Sequence, residues 1–173
     1  MKSRTILVLL IVGAMTSVAA ADSWTISTHY LRLNQSVPSG NTDNWGVAVS
    51  YDWWLSPHQT FALEAVGSWD NPAELYGGGV NTKFHLSPWG QWDIYGGFYA
   101  DYVHAKGLPK RPVTGITGSE DGWIYGPLVG IRAPMTPSTE FFVQYQYGWI
   151  DGNGLPKAFD EANWIIFGFE MKI

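Results

Sequence analysis

The sequence predicts an all-β fold, an eight-stranded antiparallel up-and-down barrel that crosses a membrane, and three observations predict it. Stretches of about ten residues alternate apolar with small or polar side chains, the length and period of membrane-crossing strands. Most of them carry a Trp or Tyr near an end. The segments between them alternate between short proline turns and longer polar connections.

The chain opens on a leader. Lys2 and Arg4 precede the apolar run Ile6–Val12, and Ala19-Ala20-Ala21 supplies a small-residue cleavage motif before Asp22. The apolar run is too short to span a bilayer as a helix. Residues 1–21 are therefore expected to be a cleaved signal peptide, with residues 22–173 forming one barrel. The leader holds two of the ten basic residues and no acid, which leaves eight bases against fifteen acids, a mature charge of −7. Nucleic acid is not an expected partner of so acidic a chain. No cysteine is present, so disulfides, thiolate catalysis, Cys-bound zinc and N-terminal Cys lipidation are excluded. Sixteen per cent aromatic against 14% charged is a poor composition for a surface bathed in water.

Eight strands are expected, at Ser23–Leu33, Asn44–Trp54, Thr60–Trp69, Tyr76–Leu86, Trp92–His104, Gly122–Ala133, Thr139–Ile150 and Asn163–Ile173. The second shows the period plainly. Trp45, Val47, Val49, Tyr51 and Trp53 share one face, while Gly46, Ala48, Ser50 and Asp52 share the other. Two positions strain the pattern. Pro127 falls inside the sixth strand, where a bulge or a register slip is expected, and the adjacent Tyr30 and Leu31 imply a bulge in the first.

Three connections repeat apolar-Ser/Thr-Pro-x: Leu55–His58, Leu86–Trp89 and Met135–Ser138. Proline presets φ there and a hydroxyl can bond the local backbone. The other four, Asn34–Asp43, Asp70–Leu75, Ala105–Asp121 and Asp151–Ala162, are polar and mostly longer. Bacterial barrels keep short turns in the periplasm and long loops outside, so both termini are expected on the periplasmic side.

Alternation alone does not distinguish a membrane barrel from a soluble one; the faces must be assigned. The apolar set is bulky on strand after strand, for example Phe141, Val143, Tyr145, Tyr147 and Trp149. An eight-stranded interior is too narrow for all these rings, so they are expected to face lipid. The aromatics also gather at strand ends. Trp45, Trp69, Tyr76, Tyr102, Trp123 and Trp149 mark the loop side; Trp53, Phe61, Trp89, Trp92 and Phe141 mark the turn side. Two such girdles are expected where amphipathic rings meet lipid headgroups. The opposite face is small or charged, as a narrow filled lumen requires.

Together these features resemble the small outer membrane barrels of the OmpA-transmembrane and OmpX/Ail type. The terminal Gly168-Phe169-Glu170-Met171-Lys172-Ile173 looks like the signal read by the barrel assembly machinery, with Ile173 in place of the usual Phe and Ile166 at a normally polar position. The resemblance implies a Gram-negative outer membrane location and contact with lipopolysaccharide and other membrane lipids; a monomer is expected, and, unlike full-length OmpA, no peptidoglycan-binding role, since no further segment is expected after the barrel. It also implies a lumen plugged by ion pairs.

By parity Asp52, Glu64, Lys83, Asp93, Arg132, Glu170 and Lys172 face inward. Charges there must pair or be hydrated, which favours a plug over an ion path, and eight strands leave no diffusion pore. His29 and His85 also face inward. His104 falls on the outer wall near the loops, the place where some lipid-trimming barrels carry a Ser–His pair, but its in-phase neighbour is Lys106. No orienting acid is visible in the sequence. No metal-ligand spacing occurs, and no cofactor is expected. Lys106, Lys110 and Arg111 cluster in the third long loop, where they either contact phosphate-bearing polyanions or are simply solvated.

The expected function is a non-enzymatic envelope or surface-interaction role through the loops. The alternatives are a lipid A-modifying enzyme using His104 or a rim carboxylate such as Asp101, and a conduit for hydrophobic compounds through a lateral gap near Pro127.

Overall fold

The computed structural model describes residues 22–35, 42–69, 74–86, 91–107, 118–152 and 159–173. The leader, Trp89, Lys110 and Arg111 lie outside them. Eight strands run in chain order: β1 Ser23–Gln35, β2 Thr42–Ser56, β3 Gln59–Trp69, β4 Glu74–His85, β5 Asp93–Lys106, β6 Ser119–Thr136, β7 Thr139–Asp151 and β8 Phe159–Lys172. Each pairs antiparallel with the next, and β8 returns to β1, closing the barrel. Closure is what lipid demands, since an unpaired backbone edge has no water to bond.

Several strands run further into the loop side than the alternation implies. β6 starts at Ser119, opposite Lys106, and β8 starts at Phe159, opposite Gln35. Pairing continues past the aromatic girdle because the backbone can ladder in water as well as in lipid. At the two described proline turns the hydroxyls of Ser56 and Thr136 accept the backbone N–H of His58 and Ser138, at 3.2 and 3.3 Å. The register shifts by one residue beside each turn.

The two expected irregularities resolve differently. No bulge separates Tyr30 from Leu31; the β1–β2 register is unbroken from Ser23 to Leu33, with Leu31 buried in the lumen. Nor does Pro127 slip the register. Its β5 partner is Phe98, while the β6–β7 ladder skips Gly126 and Pro127 and resumes in phase at Leu128↔Gln146. Pro127 lacks the N–H that ladder would use, so the cost is a local gap and not a bulge.

The apolar faces point outward. Trp45, Trp69 and Phe98 are each more than half exposed, and Val47, Leu63, Val129, Tyr145 and Ile165 are exposed along the belt between the girdles. Burial alternates strictly on β7, from Phe141 outward to Phe142 inward and on to Gly148.

The lumen has two storeys, of which the sequence pointed only to the charged one. The turn-side half is polar and charged. The loop-side half is an apolar plug of Leu31, Leu33, Leu75, Val103, Ile124, Phe159 and Trp164. The narrow interior does hold rings, because inward glycines on nearby strands leave room for them. Tyr95 packs over Gly130 and Tyr99 over Gly148, where any Cβ would collide with the phenol. Truncating Trp164, which is 1% exposed, to alanine should cost about 3–5 kcal/mol. A lower temperature for converting the compact gel species of Trp164→Ala to the extended one would measure it.

Candidate functional site

Arg132 is the hub of the lower lumen. Its Nη2 donates to Asp93 Oδ2 at 2.6 Å and its Nη1 to Glu170 Oε2 at 3.0 Å. Its Nε lies 3.0 Å from Glu140 Oε2 as an ion pair. Register places these groups: Asp93 stands directly opposite Arg132 across β5–β6, and Glu140 opposite Glu170 across β7–β8. Two like charges face each other across a ladder, an arrangement that is unfavourable unless a cation lies between them. Trp54 covers the guanidinium at 4.8 Å and stacks on His85 at 4.7 Å. His85 Nδ1 meets Asp93 at 2.6 Å.

A second group stands beside it. Lys83 Nζ donates to Asp52 Oδ1 at 2.8 Å, and the hydroxyls of Ser50 and Thr25 donate to Asp52 Oδ2 at 2.8 and 3.0 Å. The structure therefore draws five of the seven charges expected to face inward, Asp52, Lys83, Asp93, Arg132 and Glu170, into ion pairs within the lumen. Glu64 differs: its hydrogen-bond partners are Asp101 and Asn81. Lys172 does not sit in the lumen proper; it is exposed at the turn-side rim and reaches Glu140 at 2.6 Å. Glu140 and Trp54 escaped the sequence reading, and Asp101 was read at the rim. All three obey the inward parity, which is the signal that could have found them.

Asp101 is not a rim carboxylate. It is 1% exposed, inside the lumen. The six interface aromatics take the expected outward face: Trp45, Trp69, Trp92, Trp123 and Trp149 are exposed and Trp53 is half-buried. They meet neighbouring rings, Trp53 over Phe61 at 6.0 Å and Trp123 edge-on to Tyr102 at 5.2 Å.

On the loop-side outer wall, His104 has an acid that sequence alone did not reveal. Its Nδ1 lies 2.5 Å from Asp121 Oδ1, directly across the β5–β6 ladder. Tyr76 packs on the imidazole at 5.0 Å, and Lys106 Nζ lies 5.1 Å over the Tyr76 ring. A recess of about 280 Å³ beside this group is lined by Tyr102, Ser119, Glu120, Asp121 and Trp123, with Gly122 and Gly152. Of the three loop cations, only Lys106 lies within the described residues.

An apolar belt between two aromatic girdles, wrapped around a filled lumen, defines the fold of the small eight-stranded outer membrane barrels. Three solved structures share it. Neisserial surface protein A superimposes with a TM-score of 0.73 at 14% identity, over 89% of this chain and 98% of that one. A major outer membrane protein from Thermus thermophilus gives 0.59 at 8% identity, over 89% and 100%. Ail of Yersinia pestis, solved with the heparin analogue sucrose octasulfate, gives 0.53 at 12% identity, over 89% and 100%. No protein-family model and no curated sequence matches the chain.

Replacing Arg132 with methionine leaves Asp93, Glu140 and Glu170 without their shared cation. The loss should be about 3–5 kcal/mol, read as a lowered gel-shift temperature, while Arg132→Lys recovers only part because it lacks the fork.

Proposed function

We propose that the protein is an integral outer membrane barrel of a Gram-negative bacterium that acts without catalysis, through its extracellular rim and loops. The observation that carries this reading is the filled lumen inside a lipid-facing belt. Among the described residues apolar side chains fill the lumen above and ion pairs below, which supports a function at the surface that faces outward. The barrel serves envelope cohesion by holding anionic lipopolysaccharide, with Lys106, Lys110 and Arg111 as the contacting cations. Lys106 lies over the ring of Tyr76, a loop-side aromatic, a position that supports a cation reaching headgroup phosphates. The Ail complex with a sulfated sugar supports the same chemistry in a barrel of this fold. The chain inserts as a monomer, with its terminal strand Gly168–Ile173 read by the barrel assembly machinery.

Purified barrel in mild detergent should run as a compact species that extends only on boiling. Its binding to lipopolysaccharide should weaken as salt rises. A triple variant, Lys106→Ser, Lys110→Ser and Arg111→Ser, should bind at least tenfold less tightly, by roughly 1.4 kcal/mol or more. Unchanged binding by that variant would overturn the rim assignment.

A second reading, an outer-leaflet lipid-modifying enzyme, is favoured by one observation: the His104–Asp121 pair beside the rim recess, with Ser119 on the same face of β6. A base with an orienting acid is two-thirds of a nucleophilic constellation. Mass spectra of lipid A decide between the readings. Identical masses from wild-type and deletion strains remove the enzyme; a change abolished by His104→Ala establishes it.

A further inference from the structure

Between the ionic floor and the apolar ceiling the lumen brings two carboxyl groups together. Glu64 on β3, Gly79 on β4 and Asp101 on β5 form one cross-strand row, Glu64 opposite Gly79 and Gly79 opposite Asp101. All three face inward. Strands lie about 4.8 Å apart, so β3 and β5 are separated by roughly 10 Å at this level. The bare Gly79 leaves a trough between them. Any Cβ there would strike Asp101 Oδ1, which leans across the glycine toward Glu64. Two carboxyl groups hydrogen-bond to each other only when one carries a proton.

The surroundings call for positive charge. Glu64 Oε1, Asp101 Oδ1, Asn81 Oδ1 and Gln144 Oε1 are buried without a hydrogen-bond partner, and all four are acceptors. Asn81 and Gln144 are 3% and 4% exposed. With Glu64 they line a cavity of about 20 Å³, enough for one water-sized particle. Of the lumen cations, Arg132 is taken up by three carboxylates, and Lys83, bonded to Asp52, is shared with Glu64 at the cavity wall.

We propose that Glu64, with Asp101 across Gly79 and with Asn81 and Gln144 on the cavity wall, forms an internal binding site for one small monovalent cation, either a proton held between the two carboxyl groups or a sodium ion in the cavity beside Glu64. An all-oxygen donor set excludes soft metals. A multivalent ion is disfavoured because Lys83 shares the cavity wall and, among the described residues, no three His or acidic side chains converge as a ligand set. The other groups facing the site are Asp52 and Lys83 from β2 and β4, Thr25 and Ser27 from β1, Tyr99 from β5 and Ile166 from β8. The cation screens the two carboxyl groups from each other, so its loss sets like charges face to face and destabilises the barrel.

The test measures the temperature at which the compact gel species of the full barrel extends, from about pH 6 to about pH 9, in choline chloride and in sodium chloride of equal strength. In choline the wild-type midpoint should fall by about 5 °C between those pH values. Glu64→Gln should abolish most of that fall, and Asp101→Asn should do the same if the first variant folds poorly. Recovery of the midpoint by sodium at the higher pH assigns the site to sodium; no recovery assigns it to the proton. A wild-type midpoint that is flat in both pH and sodium overturns the proposal, as does a pH slope unchanged in both variants.

Discussion

Closure of the backbone ladder between β8 and β1 is the constraint from which the rest follows. Hydrocarbon offers no hydrogen bonds, so a sheet in lipid must leave no edge, and eight strands are enough to close it. Closure at eight strands fixes a lumen only as wide as its own side chains. Every inward residue then becomes a packing problem or a charge-pairing problem. The storeys of the lumen solve the two separately: glycine slots receive rings, and Arg132 gathers three carboxylates.

Desolvated charge is costly, and ion pairs in the lower lumen are better understood as specifying a register than as adding net stability. Asp93 meets Arg132 because β5 and β6 align as they do, and Glu140 meets Glu170 for the same reason across β7 and β8. A one-residue slip of any of these strands would turn a charged side chain into lipid. The ion pairs thus penalise wrong pairings more than they reward the right one.

Much of the fold was legible because a strand in lipid has two faces with opposite solvents. Period-two alternation located all eight strands, and aromatic ends located the girdles. What remained hidden depends on register and volume, which no single strand states. His104 and Asp121 are seventeen positions apart and meet only because β5 and β6 align. Asp101 sits on the inward parity, yet its proximity to the loops argued for the rim until burial was known. Trp164 obeys the inward parity too, but a tryptophan in a narrow lumen is implausible until its neighbours are known. It packs against His29 at 4.8 Å in a barrel cleared by small residues. Pro127 looked disruptive because strand rules forbid it, although a ladder can omit one pair and keep its phase.

That omission has a mechanical side. A closed cylinder of hydrogen-bonded strands resists being squeezed out of round, and the resistance is shared among its eight seams. The seam between β6 and β7 lacks rungs at Gly126 and Pro127, midway along β6. Lateral pressure from a thinning or curving bilayer should therefore be absorbed there first. The barrel has, in effect, a crumple line whose position is written by one imino acid and the glycine before it.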